Sequence, residues 1–194
     1  VVEGDNSFSS THDSEDNNVL FETSRLICRR WHPEDFDALY AVYSDIDAMR
    51  WVGDGNPITK EQCEEWFKVT ASNYALRGYG MFTVVQRELA NIVGFCGLVH
   101  PGGQEDAEIK YAFTRRSWGQ GMATEIVSAL LAYGCTEYGL KRIIATVAQE
   151  NHASQRVLVK AGMSLERLEN NHDGSITCVF ASKHSSFKSQ CTKF

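Results

Sequence analysis

At 194 residues, 43% hydrophobic and 23% charged, the chain suits a single folded domain with a sizeable core, and no period of about twenty to fifty residues marks a repeat protein. Its formal charge of −6 is unevenly placed: Glu3, Asp5, Asp13, Glu15 and Asp16 fall in residues 1–18 with no lysine or arginine, which leaves the remainder near neutral. That balance gives no case for a nucleic-acid partner, and no apolar run approaches the roughly 18 residues of a membrane span.

Residues 1–18 are acidic and Ser/Asn-rich, cannot offset the entropy of ordering, and are expected to form a tail. The domain is expected at 19–183, with a second, polar tail at 184–194. Residues 21–31 read as one strand with Leu26 and Cys28 on the same face. His32-Pro33 opens a helix with Glu34 and Asp35 in its first turn and Phe36, Leu39, Tyr40 and Tyr43 as its apolar stripe. Turn chemistry at 51–57 interrupts it. Thr59 and Gln62 then form a capping box for a second helix, which buries Cys63, Trp66 and Phe67 and ends at 78–80.

Strands at 81–86 and 92–100 make a hairpin, a loop follows at Pro101, and 107–113 alternate as a further strand. A helix from Gln120 ends at Gly139, and 143–147 form a strand too apolar to be anything but central. A short helix at 152–160 and a hairpin pairing 165–170 with 176–181 across His172-Asp173-Gly174 complete the domain. The cysteines at 28, 63, 96, 135, 178 and 191 are widely spaced with no C-x-x-C, so reduced thiols and no metal site are expected. With no basic and apolar leader at the N-terminus, the expected location is the cytoplasm, without a membrane partner and as a monomer or homodimer.

The stretch 107–123, AEIKYAFTRRSWGQGMA, carries the functional signal. Ile109, Tyr111 and Phe113 alternate with Glu108, Lys110 and Ala112, and the strand hands over to a helix through RSWGQG. The first turn of a helix has N–H groups without intrahelical partners and the positive end of the dipole, so it suits a phosphate. Gly119 and Gly121 let an anion approach, and Arg115 and Arg116 offer charged forks; a pyrophosphate is the expected ligand. The P-loop is excluded because Met122 follows Gly121, and the dinucleotide fingerprint because position 124 is threonine.

Arg116, Gly119 and Gly121 fit the Gln/Arg-x-x-Gly-x-Gly/Ala signature, which resembles the acetyl-CoA loop of the GNAT superfamily of N-acetyltransferases. The resemblance extends over about 21–182: AEIKYAF is similar to the family's fourth strand, RIIATVAQEN to its fifth, and NHASQRVLVKAGM to the segment that follows. TSRLICRRWHPEDFDAL resembles the opening of the branch containing ribosomal-protein alanine and serine N-acetyltransferases. It implies an α/β (α+β) GNAT fold, a mixed and mostly antiparallel central sheet flanked by helices, using acetyl-CoA as co-substrate, no metal, and an amine acceptor that is a small molecule or a protein N-terminus. A CoA-binding GNAT module without catalysis, regulatory or scaffolding, is the alternative.

By the same resemblance, backbone groups of Tyr111, Ala112 and Phe113 hold the pantetheine arm by strand addition, and Arg115, Arg116, Gly119, Gln120, Gly121, Met122, Ala123 and Thr124 hold the pyrophosphate. Asn151 matches the asparagine that binds the arm, and Ser154 the serine near the sulfur; helix capping is the other role open to both. Glu108 matches the general base of the histone-acetylating members, with a solvated strand-edge carboxylate as its other reading. Glu150, Glu166 and Glu169 are weaker bases, and His100, His152 and His172 read as exposed. Where many members carry a thiolate-protonating tyrosine this chain has Leu158, so Ser154 or solvent must serve. Trp118 is expected to pack under the loop, and 51–57 and 172–174 to lie near the acceptor mouth.

Overall fold

Alternating apolar residues close into one sheet whose two faces are each sealed by helices. A computed structural model describes residues 18–53 and 55–182, so both expected tails lie outside the described residues but for Asn18. The strands are β1 (Val19–Glu22), β2 (Leu26–Arg30), β3 (Met81–Gln86), β4 (Asn91–Val99), β5 (Ala107–Phe113), β6 (Ile143–Ala148), β7 (Met163–Asn170) and β8 (Ile176–Ser182). They lie in the order β1-β2-β3-β4-β5-β6-β8-β7, antiparallel at every junction except β5–β6, which is parallel. The expected fold class, mixed and mostly antiparallel, is the one observed.

Helices α1 (Phe36–Tyr43), α2 (Ile46–Met49) and α3 (Lys60–Arg77) belong to one side, α4 (Met122–Tyr138) and α5 (His152–Lys160) to the other. Leu39, Val42, Tyr43 and Cys63 cluster with Trp31 and Phe95 on the first side. Ile126, Val127, Leu130, Leu131 and Leu158 cluster with Phe82, Leu98, Ile109 and Phe113 on the second. The period-2 alternation decides this: Phe95 faces one core, Cys96 and Leu98 the other. The capping box holds as read, with Gln62 N–H on Thr59 Oγ1 at 3.2 Å and Thr59 N–H on Gln62 Oε1 at 2.8 Å. Gly78 closes α3 at φ 80°.

One expectation fails. Residues 21–31 are not a single strand but the hairpin β1–β2, turned at Thr23-Ser24-Arg25. The cause is tertiary: Glu125 of α4 accepts from Thr23 Oγ1 at 2.6 Å, Ser24 Oγ at 3.1 Å, Arg25 N–H at 3.0 Å and Arg25 Nε at 2.7 Å. Burial pushes that carboxyl up, but these donors outweigh it and hold it below its ordinary range. α2, capped by Asp45, is likewise unannounced by periodicity, being only 4 residues long.

A second carboxylate fixes the start of α1. Asp35, 2% exposed, accepts from Arg29 Nη1 and Nη2 at 2.7 Å each, from Thr83 Oγ1 at 2.7 Å and from His32 N–H at 2.9 Å. Burial would raise its carboxyl; the Arg29 fork, His32 and Thr83 win and lower it. Removing one partner of such a buried pair costs about 3–5 kcal/mol. Asp35→Ala is therefore expected to lower the melting temperature by roughly 6–20 °C, at about 2–4 °C per kcal/mol for a chain of this size. A depressed carboxylate contributes stability above its unfolded pKa of about 3.9 and loses it as pH falls through the folded value, so the variant and the wild type should converge in acid. Equal melting points at neutral pH would show that Asp35 contributes nothing.

Candidate active site

The site arises where the sheet comes apart. β5 and β6 pair only at Ala107↔Ile143 and Glu108↔Ile144, after which the two strands diverge and the β5 edge from Ile109 onward is free on that side. Two cavities meet in the gap, one of about 840 Å³ on the α1–α3 side and one of about 600 Å³ running to the start of α4. Trp51, Val52, Tyr111, Asn151 and Ser154 border both.

The smaller cavity ends on the glycine loop. Gly119 and Gly121 have φ of 74° and 78°, which a side-chain-bearing residue rarely adopts, and an added Cβ at Gly119 would meet nothing within 4 Å. Gly121 caps α4 without a side-chain acceptor, whereas Thr59 caps α3 and Asn151 caps α5. The N–H groups of Met122, Ala123 and Thr124, without intrahelical partners as in any first turn, thus also lack the side-chain cap that α3 and α5 have, and all three residues line the cavity. The residues present fit a phosphate.

Of the expected cofactor residues, Tyr111, Ala112, Phe113, Gly119, Gly121, Met122, Ala123, Thr124, Asn151 and Ser154 come together on this wall. Arg115, Arg116 and Gln120 do not. Arg115 is taken by Asp45 at 2.8–3.0 Å and by Asp47, and its hydrogen bonds hold the Asp45 carboxyl below the usual range. Gln120 folds back, its Nε2 donating to Arg116 O at 2.6 Å. The positive charge comes instead from Arg50 and from Arg156 and Lys160 of α5, which sequence reading missed. A signal was present: Ala153, Arg156, Val157 and Lys160 recur at helical spacing, one face of α5 turned to the cavity. Trp118 is not under the loop but 48% exposed on the cavity wall, its indole N–H donating to Phe113 O at 2.8 Å.

In the gap, Asn151 caps α5 through Oδ1, accepting from Ser154 N–H at 3.1 Å, so the capping role is present. The Ser154 hydroxyl lies 2.7 Å from Tyr111 Oη. Burial pushes the Tyr111 phenol up to about 12, against the smaller lowering by Ser154, so it stays protonated at neutral pH. Leu158 is fully buried in the core and contributes no chemistry.

Glu108 is 3% exposed and stands behind the wall of the larger cavity. Its Oε1 accepts from Thr146 N–H at 3.2 Å, from the Thr146 hydroxyl and from Lys110 Nζ. Lys110 also reaches Thr146 Oγ1 at 3.2 Å, and it is Lys110 and Thr146 that line the cavity. This knot ties β5 to β6 just past their last paired residues. Of the weaker bases, Glu166 and Glu169 are engaged by Arg142 and Arg167, and Glu150 is exposed away from both cavities. His152 and His172 are exposed as expected. His100 is half-buried on the cavity wall, held by Tyr79 Oη and Gln104 O at 2.9 Å each. Trp51, Val52 and Gly53 line the mouth, as do Asn171 and Ser175 beside the β7–β8 turn.

Comparison with known proteins decides what this arrangement is. Residues 25–164 match the model of the acetyltransferase (GNAT) domain. The chain belongs to the GNAT acetyltransferase family. Among its relatives, the uncharacterized N-acetyltransferase YoaA of Bacillus subtilis is 32% identical over 149 residues, 76% of this chain and 84% of that protein. The GNAT-family acetyltransferase of Bacillus anthracis superposes with a TM-score of 0.73 at 27% identity, over 84% of this chain and 98% of that one. RimL, a ribosomal L7/L12 alpha-N-protein acetyltransferase solved with coenzyme A, superposes at 0.72 over 86% and 99%; at 16% identity that likeness is one of fold. Among the described residues no helix is long and apolar enough to cross a membrane.

Proposed function

We propose that this GNAT domain moves the acetyl group of acetyl-CoA to a primary amine, a class of acceptor that includes protein N-termini. The observation that carries the reading is the uncapped start of α4, opening into a cavity continuous with the free edge of β5. The N–H groups of Met122 to Thr124, with Arg156 and Lys160, would hold the pyrophosphate, and the backbone of Tyr111 to Phe113 with Asn151 would hold the pantetheine arm.

Acetyl-CoA supplies a thioester whose carbonyl carbon bonds to the amine nitrogen as the carbon–sulfur bond breaks. The amine must shed a proton, and Glu108 takes it as base through the Thr146 hydroxyl, which already donates to it. The sulfur gains a proton from Ser154 Oγ, with the protonated Tyr111 phenol 2.7 Å behind it. A free thiol with a pKa of about 8.5 needs only modest help to leave.

Ser154→Ala is accordingly expected to lower kcat about 10²-fold, the low end for acid–base catalysis, with acetyl-CoA affinity retained. Unchanged kcat would remove Ser154 from the proton path. The reading as a whole is tested by melting the protein with acetyl-CoA, CoA and ATP and following thiol release with amines. Stabilisation by both CoA forms with thiol release supports it. Stabilisation without release on any acceptor would leave a binding module.

A further inference from the structure

The larger cavity has a character that bears on which amine is used. Trp31, Tyr43 and Trp66 form its inner wall with Met81, all four on or against the core between the sheet and α1–α3. Among the described residues no carboxylate lines it: Glu108 is buried behind Lys110 and Thr146, and its charge is matched by the Lys110 ammonium it holds. The described carboxylate on the adjoining cavity wall, Asp47, is ion-paired with Arg115.

We infer that the acceptor is a primary amine bearing a single positive charge on an aromatic or bulky aliphatic body, and not a polycation such as a polyamine or an aminoglycoside. The inference rests on the acetyl-transfer reading above. Each additional ammonium taken into this cavity would lose its hydration with no free described carboxylate to replace it, since Glu108 is already paired with Lys110. One ammonium is different, because it must give up its proton to react and leaves the cavity neutral. An apolar body is favoured by the area it removes from water against the aromatic wall, and the same rings attract one cation over their faces. At about 840 Å³ the cavity has room for an arylalkyl group.

The test compares thiol release from acetyl-CoA with phenethylamine, spermidine and kanamycin, in the wild type and in Asn73→Asp, which adds a carboxylate to the cavity wall from α3. Phenethylamine is expected to exceed both polycations in kcat/KM by at least about tenfold. Asn73→Asp is expected to narrow that ratio by about tenfold in favour of spermidine, with the affinity for CoA unmoved. Spermidine or kanamycin matching phenethylamine in the wild type, or a ratio that Asn73→Asp leaves unchanged, would overturn the inference while leaving acetyl transfer intact. Binding of CoA with release only on the N-terminus of a short peptide would overturn the inference and leave acetyl transfer standing, and binding of CoA without release on the peptide or any of the three would count against the transfer reading itself.

Discussion

Gly121→Glu is expected to abolish coenzyme A binding, seen as loss of the thermal stabilisation that CoA and acetyl-CoA give the wild type. Two effects act together. Gly121 sits at φ 78°, where a side chain costs about 1–2 kcal/mol, and that strain falls on the cap of α4 itself. An added Cβ has space, its nearest neighbour being Arg25 Nη2 at 3.6 Å, so the variant folds with its carboxylate beside the helix start. There it competes for the N–H groups of Met122 to Thr124, which no side chain of the wild type caps, and repels any phosphate that approaches. Gly121→Ala separates the effects: it carries the strain without the charge, and should weaken binding by only about tenfold. Full stabilisation of Gly121→Glu by CoA would mean that the phosphates bind elsewhere.

That loop was legible because its chemistry is local. Glycines at 119 and 121 after a strand and before a helical period state a backbone geometry, and that geometry is what an anion needs. Arg115 misleads for the opposite reason: a guanidinium satisfies carboxylate and phosphate alike, and nothing in the sequence around 115 tells that Asp45 and Asp47 lie within reach. The β1–β2 turn was hidden in the same way, since its stabilising acceptor, Glu125, lies 100 residues from Arg25. Glu108 stands between the two cases. Period-2 alternation put it on the face opposite Ile109, Tyr111 and Phe113, but that its carboxylate would be closed off by Lys110 two residues on and by Thr146 on β6 depends on where β5 and β6 part. Strand divergence leaves no local signature, because it is set by what packs on each strand's far side.

The Glu108 knot makes a prediction in which charge and packing can be told apart. Glu108→Gln keeps an oxygen for the Thr146 N–H and for Lys110, so the tie between β5 and β6 survives in shape. Lys110, 41% exposed, loses its counter-charge but can turn to water, which keeps the stability cost small. What disappears is a site able to accept a proton. If the amine gives its proton to Glu108 through Thr146, kcat at neutral pH should fall about 10²- to 10⁴-fold, with the affinity for acetyl-CoA unchanged. The variant's rate should then rise with pH as more of the amine is neutral in solution, approaching the wild type only in alkali. Thr146→Val, which cuts the relay and leaves the carboxylate in place, should show the same pH dependence and a similar loss. A Glu108→Gln enzyme with unaltered kcat and pH profile would reduce Glu108 to an anchor for Lys110. Loss in Glu108→Gln without loss in Thr146→Val would keep the base and discard the hydroxyl as its path.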